Sequence, residues 1–267
     1  MAITASKEEI AAATAYEGLH VPALFRQWAP RMVQAAGVGP GHRVLDVACG
    51  TGVLAREAAR HLGEDGFVAG LDAGPGMLAV AGQLAPSIEW RLGAAESLPW
   101  EDGTFDAVVS QFGLMFFQDR PAAIREMLRV LVPGGRMAVA VWESLDNSEA
   151  YPIEVALLER LAGRPAADAL RAPFVLGDRA ALAALFQEAG VTRVQVATHH
   201  GKARFPSIRT MVEADLRGWL PVMGVSLTEA QIASILTEAE EALGRYVTAA
   251  GTVEFDAPAH IVTGAKA

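Results

Sequence analysis

Apolar residues between positions 43 and 142 follow two patterns, short continuous runs and stripes with helical spacing. The continuous runs predict buried strands at 43–48, 67–71, 88–92, 105–110 and 136–142. The stripes predict helices between them at 53–62, 76–84 and 121–131. Strands that are apolar throughout and alternate with helices are typical of a parallel sheet covered on both faces. Because the region is short for a barrel, we predict an open, doubly wound α/β sheet.

The chain on either side of this region has a different pattern. Before it, a Ser-Lys-Glu-Glu capping box at 6–9 precedes a predicted helix at 10–15, and a second helix follows at 22–36. After it, the predicted elements are helices at 148–161 and 178–189, a strand at 191–197, a helical stretch at 206–246 broken at 221–224, and a final strand at 252–265.

These elements predict four segments. They are an N-terminal helical cap (1–42), an α/β core (43–205), a helical lid insertion (206–246) and the final strand of the core (247–267). The lid prediction has an equal alternative, in which the apolar residues of the insertion pack on the flank of the sheet.

The excess of acidic over basic residues argues against binding partners that carry negative charge. Asp and Glu exceed Lys and Arg by 31 to 22, which gives a net charge of −9. A nucleic acid or an anionic membrane surface would require a basic face, so we expect neither as a partner. The single cysteine excludes an internal disulfide and a cysteine-rich metal site, and we expect no metal. With no apolar run of membrane-spanning length and no signal-peptide pattern, we expect a cytoplasmic protein.

A glycine-rich loop follows the first predicted strand and carries the strongest chemical signal. Gly50 and Gly52 allow a tight turn whose backbone a ligand can approach closely, at the start of a helix that offers free N–H groups. Asp72 stands twenty residues after Gly52, at the end of the second strand, where an acidic residue can accept hydrogen bonds from a ribose. A nucleoside-containing cofactor is therefore expected.

Two classes of cofactor compete for this loop. The sequence Gly50-Thr-Gly-Val-Leu-Ala55 also matches the G-x-G-x-x-A of dinucleotide sites, which makes an NAD(P)-dependent oxidoreductase the main alternative. However, Asp46 would repel a pyrophosphate and would suit an ammonium group. S-Adenosylmethionine, a nucleoside that carries an amino-acid group, fits both features. A non-catalytic cofactor-binding protein is the third hypothesis.

The motifs from Arg43 to Trp142 resemble those of class I S-adenosylmethionine-dependent methyltransferases, in the group that includes ubiquinone and menaquinone biosynthesis enzymes. The resemblance implies a Rossmann-like sheet of seven strands, six parallel and a last antiparallel one. It also implies S-adenosyl-L-methionine as the cofactor, with Asp72 on the ribose and Met77 on the adenine. Ala94 stands where the family usually has an acidic residue, so the adenine amine is assigned to Glu96. The cofactor-binding residues are predicted as Asp46, Ala48, Gly50, Gly52, Asp72, Ala73, Met77, Ala95, Glu96 and Gln111.

The acceptor side is predicted from aromatic residues and from groups that could move a proton. The substrate-binding residues are predicted as Phe25, Trp28, Phe112, Trp142 and Trp219, which suggests a small, largely apolar molecule methylated on oxygen, carbon or nitrogen. The candidate catalytic residues are Tyr16 and His20, with His199 as a third candidate base. For Tyr16, packing at the surface is an equal alternative. For His20, a place in a loop is an equal alternative.

Overall fold

A computed structural model describes residues 4–267, so the first three residues of the predicted cap lie outside the described residues. The main sheet has seven strands in the order β3-β2-β1-β4-β5-β9-β6. Their bounds are β1 Arg43–Val47, β2 Phe67–Asp72, β3 Glu89–Leu92, β4 Phe105–Gln111, β5 Leu131–Trp142, β6 Thr192–His199 and β9 Ala259–Ala265. Strand β9 is antiparallel to both of its neighbours, and the other six run parallel to one another. The predicted Rossmann-like sheet is thus confirmed.

Helices cover both faces of this sheet and extend beyond it. They are α1 Lys7–His20, α2 Ala29–Ala35, α3 Val53–Leu62, α4 Pro75–Leu84, α5 Arg120–Val130, α6 Tyr151–Ala162, α7 Arg164–Arg171, α8 Arg179–Glu188, α9 Ile208–Ala214, α10 Leu220–Val222 and α11 Glu229–Ala242. The predicted capping box begins α1, since the Ser6 hydroxyl accepts from the Glu9 amide and the Glu9 carboxylate accepts from the Ser6 amide. Among the described residues, no helix is long and apolar enough to cross a membrane.

Two boundaries predicted near the N-terminus and within the sheet were wrong. The helix predicted at 22–36 is divided into a π-helical turn, Val21–Phe25, and α2. Pro22 lacks an amide hydrogen, and the turn closes instead through a bond from the Arg26 amide to the Val21 carbonyl at 2.8 Å. The Val132-Pro-Gly-Gly135 sequence was predicted to end the preceding helix, with the strand starting only at 136, but strand β5 begins at Leu131, which pairs with Phe105 ahead of a register shift.

The C-terminal third contains elements that the sequence pattern did not predict. The final strand predicted at 252–265 is two strands, because Pro258 interrupts the ladder between β8, Val253–Asp256, and β9. Strand β8 pairs with β7, Lys202–Phe205, in a separate antiparallel sheet. Helix α7 is also additional. The predicted helical stretch at 206–246 contains α9, a π-helical turn Asp215–Trp219, α10 and α11.

Candidate cofactor and active site

The carboxyl ends of β1 and β4 lie beside a small cavity that the N-terminal segment covers. Its volume is about 20 Å³. Six predicted site residues line it: Tyr16, Phe25, Asp46, Ala48, Gly50 and Gln111. Cys49, Thr51, Val53 and Leu54 complete the lining. The sheet thus brings the loop after β1 and the end of β4 together, as expected for a ligand site in an open α/β sheet.

The glycine loop uses left-handed backbone conformations to turn from β1 into α3. Ala48, Gly50 and Gly52 have φ angles of 57°, 54° and 86°. A Cβ atom built on Gly52 would lie 2.5 Å from the Trp90 ring, whereas one built on Gly50 would meet nothing within 4 Å. Gly52 is therefore required for packing against Trp90, and the backbone at Gly50 borders open space that a ligand can approach.

Two oxygen atoms at the cavity are buried without a hydrogen-bond donor. The Asp46 side chain is 1% exposed, and its Oδ2 accepts from the Ala55 amide at 3.0 Å, while Oδ1 has no partner in residues 4–267. Gln111 Nε2 donates to the Phe25 carbonyl at 3.2 Å, and Gln111 Oε1 likewise has no partner there. Burial raises the pKa of Asp46 well above its usual value. Two orphaned acceptors at one cavity fit a ligand with several donor hydrogens, such as an ammonium group.

Asp72 connects the glycine loop after β1 with the loop that leads into α4. One carboxylate oxygen accepts from the Gly50 amide at 2.8 Å, and the other accepts from the Gly74 amide at 2.8 Å. Burial raises the pKa of Asp72, and these backbone bonds oppose the rise. A carboxylate has about four acceptor positions. Asp72 can thus orient the loop and still accept from a ribose.

The residues predicted around the adenine lie on separate elements. Met77 is half-buried on α4, Ala73 is exposed before that helix, and Ala95 is buried after β3. Glu96 Oε1 accepts from the amides of Gln118 and Asp119, at 2.9 and 3.3 Å. Glu96 therefore supports the segment that leads into α5.

The two candidate catalytic residues stack on each other at the end of α1. The Tyr16 ring lies 5.6 Å from the His20 ring and 5.5 Å from the Phe25 ring. Burial, aided by Asp72 and Glu17, raises the pKa of Tyr16, so its hydroxyl stays protonated at neutral pH.

His20 has the opposite acid–base character. Burial lowers the pKa of His20, so its imidazole is neutral near pH 7 and can accept a proton. His20 stacks on Tyr16 but is not among the residues that line the cavity. His199 ends β6, and burial, with a smaller effect of Arg31, lowers its pKa.

Four of the five predicted acceptor residues form one aromatic cluster, Phe25, Trp28, Phe112 and Trp142. Phe112 has a left-handed backbone (φ 59°), and its ring stacks on Trp142 at a centroid distance of 3.9 Å. The fifth, Trp219, lies apart, with its ring 5.1 Å from Phe116 and its Nε1 donating to the Ala169 carbonyl.

The sequence analysis gave no role to the side chains of three residues of the site, Glu17, Thr51 and Arg56. The Glu17 carboxylate accepts from the Thr51 hydroxyl at 2.5 Å and from Arg56 Nη2 at 2.7 Å. Thr51 stands inside the glycine motif, which is the one signal that could have indicated it. The pairing of α1 with α3 depends on tertiary structure and leaves no local pattern.

Comparisons with known proteins agree with this geometry. A family model described as a methyltransferase domain matches residues 44–135. The chain is 36% identical over 191 residues to the ubiquinone/menaquinone biosynthesis C-methyltransferase UbiE of Cupriavidus necator, across 64% of this chain and 76% of that protein. It is 44% identical over 115 residues to the demethylmenaquinone methyltransferase of Renibacterium salmoninarum, across 43% of this chain and 47% of that protein.

Solved structures share the fold at lower sequence identity. The YcgJ protein of Bacillus subtilis has a TM-score of 0.60 at 21% identity, with 90% of this chain and 98% of that one covered. A Haemonchus contortus phosphoethanolamine N-methyltransferase has a TM-score of 0.60 at 17% identity, with 96% and 57% covered.

The fold, the glycine-loop site and these relatives together define a class. The chain belongs to the class I S-adenosylmethionine-dependent methyltransferases, and S-adenosylmethionine is the cofactor of this family. The chain spans about half the length of most of the curated relatives it matches, between 47% and 59%.

Proposed function

We propose that the protein transfers a methyl group from S-adenosylmethionine to a small, largely apolar acceptor of the quinone type. The pair of orphaned acceptors, Asp46 Oδ1 and Gln111 Oε1, carries this proposal, because they match the ammonium of the cofactor's amino-acid group. Bound S-adenosylmethionine supplies a methyl group on a sulfonium ion. The names of the quinone methyltransferase relatives support the acceptor class.

In this proposal, one set of residues binds the cofactor and another excludes water from the acceptor. Asp46 and Gln111 accept from the ammonium, Gly50 lets the backbone approach, and Asp72 accepts from the ribose. In this proposal Ala48, Gly52, Ala73, Met77, Ala95 and Glu96 complete the cofactor surface.

The acceptor would lie against the aromatic cluster, whose rings exclude water and favour a flat apolar molecule. Burial lowers the pKa of both His20 and His199, and His20, which stacks on the cavity residue Tyr16, is the one we propose to remove an acceptor proton. The Cys49 thiol lines the cavity but is not proposed as a nucleophile, because burial raises its pKa and keeps it protonated. We also propose a cytoplasmic location, which the single cysteine, free and buried, supports through the reducing character of that compartment.

Ligand titration tests the cofactor assignment first. Isothermal titration calorimetry with S-adenosylhomocysteine is expected to show one site per chain, and NADH is expected not to bind, because its pyrophosphate would meet Asp46. Transfer of a labelled methyl group to demethylated quinones, compared with a polar amine acceptor, then tests the acceptor class. NADH binding without S-adenosylhomocysteine binding would overturn the proposal.

We further propose that the helical insertion at 206–246 acts on the acceptor through Trp219. Its ring contacts Phe116, which follows the cluster residue Phe112 in the chain. Trp219→Ala is expected to raise the acceptor KM about tenfold and to leave the Kd for S-adenosylhomocysteine nearly unchanged. Trp219→Phe, which keeps a ring against Phe116, is the matched control. A stability loss of about 3–5 kcal/mol with unchanged acceptor kinetics would show that the insertion is only packed on the sheet.

A further inference from the structure

We propose that Glu17 is an internal competitor of the cofactor: its carboxylate occupies the place that the cofactor's own carboxylate takes when α1 opens. The inference rests on the proposed function, in that the ligand is a nucleoside carrying an amino-acid group. It adds a carboxylate subsite, Thr51 with Arg56, and an autoinhibitory contact that closes it.

The cavity is too small for a nucleoside unless α1 moves. Its volume of about 20 Å³ is close to the space of a single water molecule. Sites for small molecules and cofactors generally enclose about 300–1,000 Å³. Among residues 4–42, those that line the cavity are Tyr16 of α1 and Phe25 of the π-helical turn. Displacing α1 therefore opens the cavity without disturbing the sheet.

The polar contact that holds α1 over the glycine loop is made by one carboxylate. Glu17 Oε2 accepts from the Thr51 hydroxyl, and Glu17 Oε1 pairs with Arg56, whose Nη1 donates to the Thr51 carbonyl at 2.5 Å. The Glu17 and Arg56 side chains are 18% and 21% exposed, so water screens this ion pair only in part.

The chain has a pivot directly after α1 and a firm anchor beyond it. The π-helical turn Val21–Phe25 departs from α-helical hydrogen bonding. After the turn, Gln27 binds β7 through both atoms of its amide, since Nε2 donates to the Lys202 carbonyl at 2.6 Å and Oε1 accepts from the Lys202 amide at 2.8 Å. Motion is therefore expected in α1, and the segment after the turn stays in place.

The chemistry of the two neighbouring subsites is complementary to an α-amino acid. The Thr51 hydroxyl and the Arg56 guanidinium donate, and a carboxylate, that of Glu17, is seated on them. Asp46 and Gln111 present orphaned acceptor oxygens to the cavity that Thr51 also lines. A ligand carboxylate can replace the Glu17 carboxylate on Thr51 and Arg56, while the ligand ammonium donates to Asp46 and Gln111. All of these polar groups then have hydrogen-bond partners.

The first test removes the negative charge of Glu17 and retains the shape of its side chain. Glu17→Gln is expected to bind S-adenosylhomocysteine about three- to tenfold more tightly than the wild type, because closing the subsite no longer involves an ion pair. Glu8→Gln removes the same charge from an exposed position of the same helix, and its affinity is expected to equal that of the wild type. Equal affinity of Glu17→Gln and the wild type would overturn the inference.

The second test separates carboxylate exchange from simple opening. Methylthioadenosine is the same kind of nucleoside thioether but lacks the amino-acid group. Arg56→Gln breaks the contact with Glu17, so methylthioadenosine is expected to bind more tightly than to the wild type. S-Adenosylhomocysteine loses the partner of its carboxylate and is expected to bind no more tightly. An equal gain for both ligands would overturn the carboxylate subsite.

A measurement without ligand completes the design. Amide hydrogen exchange in α1 is expected to be faster in Glu17→Gln than in the wild type and in Glu8→Gln, with melting temperatures recorded for all three. Unchanged exchange would contradict the closing role of Glu17. Failure of the wild type itself to bind S-adenosylhomocysteine would instead contradict the proposed function, so the two failures are distinguishable.

Discussion

Gly50→Val abolishes cofactor binding and leaves the protein folded. Gly50 has a φ of 54°, and an added Cβ would meet no protein atom within 4 Å, so the new methyl groups would project into the space a ligand needs. A β-branched residue in this conformation costs about 1–3 kcal/mol, which a folded domain tolerates. The affinity for S-adenosylhomocysteine, measured by titration calorimetry, is expected to fall at least about a hundredfold, or about 2.8 kcal/mol.

Valine variants at two other glycines distinguish steric blockage of the ligand from strain in the backbone. Gly41 has a φ of 76° and open space at its Cβ position, so Gly41→Val imposes comparable strain away from the site and is expected to retain binding. Gly52→Val would place its Cβ 2.5 Å from the Trp90 ring and is expected to lower the melting temperature as well as binding. Normal binding by Gly50→Val would mean that the loop does not contact the cofactor.

The sheet and its glycine loop could be predicted because their signals are local. The central parallel strands β1, β2 and β4 are buried along most of their length, so their apolar runs are nearly continuous, as in Val44–Val47. The loop has glycine at two of its positive-φ positions, Gly50 and Gly52, and Asp72 stands at the end of the next strand. Such features depend on neighbours within about one βαβ unit, and the chain sequence records them directly.

The features that the sequence analysis did not predict depend on contacts between residues far apart in the chain. The separate β7–β8 sheet joins residues about fifty positions apart, and each of its strands is only four residues long. The contact of Glu17 with Arg56 spans 39 positions. Hydrophobic periodicity carries no information on either partnership, because register and ion pairing at this range are decided by how complete elements pack. The residues proposed for the site on the β1 side, and Tyr16 of α1, were named from the sequence, whereas the contact of Glu17 with Thr51 and Arg56 was missed.

The stability of the protein is expected to fall as pH rises, because two carboxyl groups are buried side by side. Glu154 of α6 is fully buried, and Asp215, in the turn after α9, is 7% exposed, with the buried Tyr151 close to both. Burial raises the pKa of Glu154, and Asp215 adds to the rise; burial also raises the pKa of Asp215. The folded protein then holds protons that the unfolded chain has released above about pH 4. Raising the pH through the elevated pKa values removes this stabilisation.

Glu154→Gln isolates this effect from the other titrating groups. The amide has the shape of Glu154, carries no charge and can donate to the Asp215 carboxylate, so it relieves the repulsion between the two carboxylates at alkaline pH. At pH 8 the variant is expected to be more stable than the wild type by about 1–3 kcal/mol, and near pH 5 the difference is expected to shrink, measured by urea unfolding at both pH values. Glu188→Gln, at an exposed position of α8, serves as the control for loss of a charge. An equal loss of stability at both pH values in Glu154→Gln would contradict the effect of the raised pKa values, since it would mean that the carboxyl group acts only through its packing within α6 and against the turn that carries Asp215.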